Sequence, residues 1–332
     1  SGSTGAPKGV VDTHRNVLHN VMRYTNGLHI CPDDRLSLVQ SCSFSGCVST
    51  QFSALLNGAA LLPFDLQEEG PGPLAEWMLR QKLTMFHAVP ALFRALAEHV
   101  GTLPDLRLVR LAGDQAAWSD VEVFRRLCRA GSLLVNGLGA TETGLTRRYF
   151  VAHDTALETG PLPLGYRVDD MEILLVDDDG AEVPPGAIGE IAVRSAYLAL
   201  GYWHRPAWTT PAFHAASENG AVRTYWTGDL GRQRPDGCLE YLGRKDLHPK
   251  VRGERVEVHA VERALLALGA FTHVLVMTRH DPGSEPRLVA YLVPGAAAPP
   301  DTSSLRRALE QALPASSIPS AFVLLEKLPL GE

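Results

Sequence analysis

Ser1-Gly2-Ser3-Thr4-Gly5-Ala6-Pro7-Lys8-Gly9-Val10 is the run on which the reading of this chain turns. Small and hydroxyl residues let backbone N–H groups and side-chain oxygens approach phosphate closely, and Lys8 adds positive charge. A Walker-type loop needs glycine before its lysine and serine or threonine after it. Pro7 and Gly9 stand in those places, so that class is excluded.

Next to this run, from Thr13 to Cys128, extended apolar stretches alternate with helical patterns. Thr13 is placed to cap a helix with Val17, Leu18, Val21 and Leu28 at helical spacing. Strands are expected at 35–39, 59–64, 84–89, 106–111 and 133–135, and helices at 47–56, 74–81, 91–99 and 119–129. Ser119-Asp120-Val121-Glu122 reads as a capping box and Gly131 as a helix stop. Such alternation predicts an α/β fold with a largely parallel, helix-covered sheet. Beyond Arg147, short strands at 171–176, 188–194 and 238–241 are separated by turn-rich stretches, which predicts a β-rich subdomain with a barrel as one form. From Asp246 the pattern is strand 250–256, helix 258–268, strands 272–278 and 288–293, and helix 302–313, a small α+β subdomain. The expected division is 1–245 and 246–332.

Composition narrows the classes. The 332 residues carry a formal net charge of −6 with both signs interspersed, against the basic face of a duplex-binding protein. Arg147-Arg148 and Arg306-Arg307 read as solvated surface. No apolar run approaches the ~20 residues of a membrane span. Cys31, Cys42, Cys47, Cys128 and Cys238 show no metal-ligand spacing and no disulfide framework, which fits a reducing, cytoplasmic setting. Neither nucleic acid nor a membrane is expected as a partner.

Three further motifs follow in order: Asn136-Gly137-Leu138-Gly139-Ala140-Thr141-Glu142, Tyr225-Trp226-Thr227-Gly228-Asp229-Leu230, and Gly243-Arg244-Lys245-Asp246 with Lys250-Val251-Arg252-Gly253-Glu254-Arg255-Val256-Glu257. With the opening run, this series resembles the adenylate-forming (AMP-binding) superfamily, and Lys250 to Glu257 is similar to the form found in adenylation domains of nonribosomal peptide synthetases. The resemblance covers essentially the whole chain. It implies that Ser1, Ser3, Thr4, Gly5 and Lys8 hold ATP phosphates, that Asn136 and Leu138 contact adenine, and that Thr141 meets the α-phosphate. By the same resemblance Glu142 holds Mg²⁺, a hard cation suited to a carboxylate. Asp229 and Arg244 would bind ribose, Asp246 would be the hinge of a mobile C-terminal subdomain, and Gly253 would line the passage for a phosphopantetheine thiol. Leu138 stands where the family has a stacking tyrosine, and Pro249 stiffens the backbone just past the hinge.

The resemblance also places an acid pocket at Ser45, Gly46, Ser49, His87, Arg110, Ala112, Gly137, Leu145 and Thr146. Ser45 stands where α-amino-acid-activating members carry an aspartate that neutralises the substrate ammonium. Burying an ammonium without that charge costs several kcal/mol, so an aryl, hydroxy, fatty or displaced-amine acid is expected. The implied activity is ATP-dependent formation of an acyl-adenylate, with Thr141, Glu142 and Lys8 at the reacting phosphates. Transfer to the phosphopantetheine of a carrier protein domain, beside neighbouring synthetase domains, would follow. An acyl- or aryl-CoA ligase and a catalytically idle domain of a megasynthase remain the alternatives. The family's first N-terminal portion is expected to be missing here. Leu328-Pro329-Leu330-Gly331-Glu332 leads toward an Asn-Gly-Lys whose lysine serves adenylation, so the 332 residues alone are expected to be adenylation-deficient.

Overall fold

The computed structural model describes residues 8–42, 44–217, 220–245, 250–251, 254–255, 258–279, 287–295, 299–313 and 317–327. They fall into two units, Ser1–Thr227 with Gly231–Tyr241, and Gly228–Leu230 with Leu242–Glu332.

In the first unit, β1 (Arg35–Leu38), β2 (Ala60–Pro63), β3 (Met85–Ala88), β4 (Leu108–Leu111), β5 (Leu133–Ala140), β6 (Gly144–Val151) and β7 (Tyr166–Arg167) form a seven-stranded sheet. Its spatial order is β2-β1-β3-β4-β5-β6-β7. The ladders linking β1 to β5 are parallel, and β6 and β7 join antiparallel. Helices α1 (His14–Leu28), α2 (Ser45–Leu55), α3 (Pro71–Arg80), α4 (Pro90–Leu96) and α5 (Trp118–Leu127) cover it. Side chains alternate between two cores, as a strand's two-residue period requires. Phe86, Ala88, Val109, Leu111 and Leu134 pack with Leu74, Phe93 and Phe124 of α3, α4 and α5. Met85, Leu108 and Val135 pack with Tyr24 and Leu28 of α1 and Ala54 of α2. The helix-covered, largely parallel sheet expected from the alternation is therefore present.

Several local expectations are corrected. Thr13 does cap α1, its hydroxyl accepting from the Asn16 N–H at 3.2 Å, but Leu18 is 54% exposed. Val21 and Leu28 are buried as expected, and Asn16, His19 and Arg23 share the buried face with them. Asn16 donates to Leu198 O at 2.7 Å, His19 Nε2 lies 2.9 Å from Asp170, and Arg23 donates to Leu145 O at 2.6 Å. Buried polar groups are tolerated when so partnered. Helix α5 begins after Ala117 rather than Ser119, and Asp120 reaches back to accept the Ala117 N–H at 2.8 Å. It ends at Leu127, before Gly131. Arg147 is not solvated: it is buried and donates to Gly165 O at 2.7 Å and Gly237 O at 3.0 Å.

The β-rich part is an antiparallel sheet of β8 (Glu172–Val176), β9 (Ile188–Ser195), β10 (Phe213–Ala215), β11 (Arg223–Gln233) and β12 (Leu239–Arg244). Its described strands follow an open path, β10-β11-β9-β8 with β12 beside β11, so the barrel form does not hold. A short ladder pairs Val10–Val11 with Gly201–Tyr202.

The second unit packs α6 (Val258–Leu266) and α7 (Thr302–Ala312) on β13 (Phe271–Arg279), β14 (Arg287–Pro294) and β15 (Ala321–Leu324). Val261, Leu265, Val276, Ala290, Leu292 and Leu305 are among its core residues. Two expectations change here. Lys250–Val251 turns back to pair antiparallel with Glu254–Arg255, so no single strand spans 250–256. Strand β15, parallel to β14, had no counterpart in the sequence reading.

Candidate nucleotide and acid site

Strand β5 does not stop at Val135. It runs to Ala140, and Thr141-Glu142-Thr143 turn into antiparallel β6. The sequence permits this because Gly139 faces Gly144 O so closely that an added Cβ would lie 2.7 Å away. The turn is held by the Thr143 N–H donating to Ala140 O at 3.2 Å.

This hairpin tip brings together several expected residues within the first unit. Thr141 Oγ1 donates to Ser45 Oγ, on the first residue of α2, at 3.1 Å. Glu142 is buried, and its Oε1 accepts the Tyr202 hydroxyl at 2.8 Å. Tyr202 and Tyr225 place their hydroxyls 3.4 Å apart. Burial, then the nearby Glu142 charge, raises the Tyr225 phenol well above its ordinary value, so it stays protonated beside the carboxylate. Lys8 Nζ stands 5.3 Å from the Tyr202 ring centre and 5.2 Å from that of Trp208, within cation–π range.

The described residues contain no group of three carboxylate, histidine or cysteine side chains able to hold a metal. A single buried carboxylate fits Mg²⁺ arriving with a nucleotide, because that ion takes one or two protein carboxylates and completes its shell with phosphate oxygens and water. Glu142 has that chemistry.

Asn136 is buried and spends its amide on the protein, donating to Pro163 O at 2.9 Å. Leu138 packs against the cluster of Leu164, Ile191 and Leu239, and the Thr146 hydroxyl donates to Leu138 O at 3.1 Å.

Of the residues expected to form an acid pocket, Ser49, His87 and Arg110 line one cavity on the α1–α2 side of the sheet. His87 of β3 and Arg110 of β4 are register partners, and Arg110 Nη1 lies 3.1 and 2.9 Å from the two ring nitrogens of His87. Burial, and secondarily Arg110, pushes the His87 imidazole well below its usual range, so the ring is neutral. Thr50 Oγ1 is 3.1 Å from His87 Nδ1. A Cβ on Gly46 would sit 3.3 Å from His87 Cε1, and one on Gly137 3.7 Å from Arg110 Nε. Asn20 of α1 ties the wall together, accepting the Leu145 N–H at 2.9 Å and donating to Ser49 Oγ at 3.1 Å. Ala112 lies just past β4, its N–H donating to Ala88 O at 3.2 Å. A small cavity of about 30 Å³ lies here, between α1, α2 and the sheet, and Tyr24, Ser49, Thr50, Ser53, His87 and Arg110 are among its lining residues.

In the second unit, taken by itself, Arg244 Nη1 donates to Asp229 Oδ1 at 3.3 Å. Ser1, Ser3, Thr4, Gly5, Asp246 and Gly253 lie outside the described residues. Tyr202, Asn20, Thr50 and Ser53 were not singled out by the sequence reading as site residues.

Residues 1–203 match the family described as AMP-binding enzyme. The chain belongs to that family. Among curated relatives, this AMP-binding chain is 35% identical over 341 residues to tyrocidine synthase 3 of Brevibacillus parabrevis, covering 99% of the chain and 5% of that protein. It is 36% identical over 334 residues to the probable non-canonical nonribosomal peptide synthetase CymA of Salinispora arenicola, covering 99% of the chain and 4% of that protein. The chain thus spans about a twentieth of these relatives. Among solved structures, o-succinylbenzoate coenzyme A synthetase (MenE) of Bacillus subtilis in complex with ATP and magnesium ion superposes with a TM-score of 0.78. There the identity is 25%, over 99% of this chain and 66% of that one. The architecture is that of the adenylate-forming enzymes. No helix among the described residues is long and apolar enough to cross a membrane.

Proposed function

We propose that this chain is the adenylation domain of a peptide-synthetase-type enzyme, a ligase that activates a carboxylic acid with Mg·ATP and passes the acyl group to a phosphopantetheine thiol on a carrier domain. The observation that carries this reading is the hairpin tip, where Thr141 bonds Ser45 and the adjacent Glu142 bonds Tyr202, in a member of the AMP-binding family. The curated relatives support the synthetase context.

In the first half-reaction a substrate carboxylate oxygen attacks the α-phosphorus of ATP. The bond from that phosphorus to the β-phosphate bridging oxygen breaks, and its electron pair leaves on pyrophosphate. The protein positions the reactants and stabilises charge, needing no nucleophile of its own. Thr141 would hydrogen-bond the α-phosphate, and Glu142 would hold Mg²⁺, which offsets phosphate charge when bound. Lys8, with Ser1, Ser3, Thr4 and Gly5, would hold the leaving pyrophosphate, while Asn136 and Leu138 would border adenine. Asp229 would accept from ribose hydroxyls, with Arg244 holding it in place. In the second half-reaction the thiol sulfur attacks the acyl carbon, AMP leaves with the electron pair, and the thiol proton passes to solvent. Asp246 would serve as the hinge for that step and Gly253 as the thiol passage. A reducing cytoplasm suits the free cysteines.

Acid-dependent ATP–pyrophosphate exchange by the protein carrying this chain tests the reading. Exchange that is lost in T141A and E142Q supports it, and exchange unchanged in both variants refutes it. The likeness to a coenzyme A synthetase favours free coenzyme A as the second candidate acceptor; thioester formation with coenzyme A but not with a carrier domain would establish that alternative.

A further inference from the structure

Among the described residues Arg110 is a cation without an anion. It is 9% exposed, and among the described residues no carboxylate pairs with it. Its neighbours are the neutral ring of His87 and the face of Tyr24, whose centre lies 4.5 Å from the guanidinium carbon. A buried charge left unpaired is expensive, and proteins keep one where something else supplies the partner. Arg110 lines the cavity, and so does Ser53, which is 2% exposed and whose hydroxyl has no hydrogen-bond partner. A cation and an idle hydroxyl therefore face one space, with no acid of the described protein to satisfy them.

Ser49, which lines the cavity, stands one helical turn along α2 from Ser45 at the proposed reaction centre. Ser45, Ser49 and Ser53 are successive i, i+4 positions on one helix face. Ser45 touches Thr141, Ser49 is one turn on, and Ser53 lies about 12 Å along the axis from Ser45. An elongated acid can thus present one end to Thr141 and the other to Arg110 and Ser53. An α-ammonium would meet Ser45 in place of a carboxylate, with Arg110 adding repulsion.

We infer that the acid activated here is a dicarboxylic acid without an α-amine: one carboxylate is adenylated beside Thr141, and the second is held by Arg110 with Ser53. This rests on the adenylation reading above. Only the first carboxylate reacts, and the second leaves the pocket unchanged in the product. Arg110 and Ser53 are then specificity-determining residues rather than catalytic ones.

The test pairs two readouts on the protein carrying this chain: ATP–pyrophosphate exchange, and calorimetric binding of the acid alone. The panel is succinate, glutarate, adipate and isophthalate, the mono-methyl esters of each, and the α-amino acids. Expected is exchange with at least one dicarboxylate over its half-ester, with kcat/KM falling on the order of 10- to 100-fold in R110L, the loss of one charge-assisted contact. R110K should retain part of the activity, and the half-ester should be indifferent to the change. If R110L fails to fold, S53A removes a hydroxyl that no other described group uses, and should weaken the same acid several-fold. Exchange confined to monocarboxylic or α-amino acids, or unchanged selectivity in both variants, overturns the inference while leaving adenylation standing. Arg110-dependent dicarboxylate binding without exchange sustains the pocket assignment and sinks adenylation. Neither binding nor exchange of any dicarboxylate overturns it as well.

Discussion

The Tyr202 hydroxyl donates to Glu142 Oε1 at 2.8 Å, across sixty residues of sequence. It helps orient the buried carboxylate at the hairpin tip, which the Tyr225 hydroxyl also meets. Outer partners that orient a metal's carboxylate typically govern affinity by 10- to 100-fold. Y202F is expected to raise the Mg²⁺ concentration needed for half-maximal exchange about tenfold. An unaltered Mg²⁺ titration would show that Tyr202 only fills space.

The Thr141–Ser45 contact gives a gain-of-function test. In S45D the new carboxylate can still accept from Thr141 and can also neutralise an ammonium. Exchange with α-amino acids should rise by about tenfold or more, the worth of one charged hydrogen bond. Unchanged discrimination across amino acids would mean that Ser45 does not face the acid's α-substituent.

Gly228 has φ +74, and an added Cβ would lie 2.8 Å from Arg244 Nη2. The obstructing atom is the far end of a flexible side chain, so G228A should cost only about 1–2 kcal/mol for its backbone conformation. The displaced guanidinium would leave Asp229, and KM for ATP should rise several-fold while the acid's KM stays put. Equal changes in both constants would argue against a ribose role for the pair.

Asp34 anchors the turn before β1. Arg107 donates to it at 2.7 and 2.6 Å, and the Thr84 hydroxyl at 2.7 Å. Burial by itself would raise this carboxyl, but the hydrogen bonds from Arg107, Thr84 and the Cys31 N–H prevail and hold it below the usual carboxylate range. A depressed folded value contributes stability above the unfolded value of about 3.9, and that contribution is lost as pH falls through the lower folded value. Denaturant unfolding should find D34N weaker by roughly 3 kcal/mol at neutral pH, with the gap closing below that window. A gap independent of pH would assign the effect to packing alone.

How much was legible depends on the range of the interactions involved. The parallel sheet could be read because strands such as Met85–Ala88 and Leu108–Leu111 are short apolar runs bounded by helices, a signal carried by near neighbours. The β5–β6 hairpin was missed because its turn, Thr141-Glu142-Thr143, has none of the usual hairpin residues and depends on a close approach at Gly139. Leu18 was assigned inward on periodicity. Which face of α1 is buried was decided by distant partners of Asn16, His19 and Arg23.

By itself the sequence determined the alternating α/β plan, the order of the phosphate, hairpin and ribose motifs, and the family to which they point. These follow from local hydrophobic period and from residue types that phosphate chemistry demands wherever they stand. Only the tertiary structure decided that Tyr202 orients Glu142, that Thr141 meets Ser45, and that Arg110 lies buried with no described acid beside it. Each is a contact between residues far apart in the chain, set by how helices and sheet pack, and pairing and burial of that kind leave no mark on the neighbouring sequence.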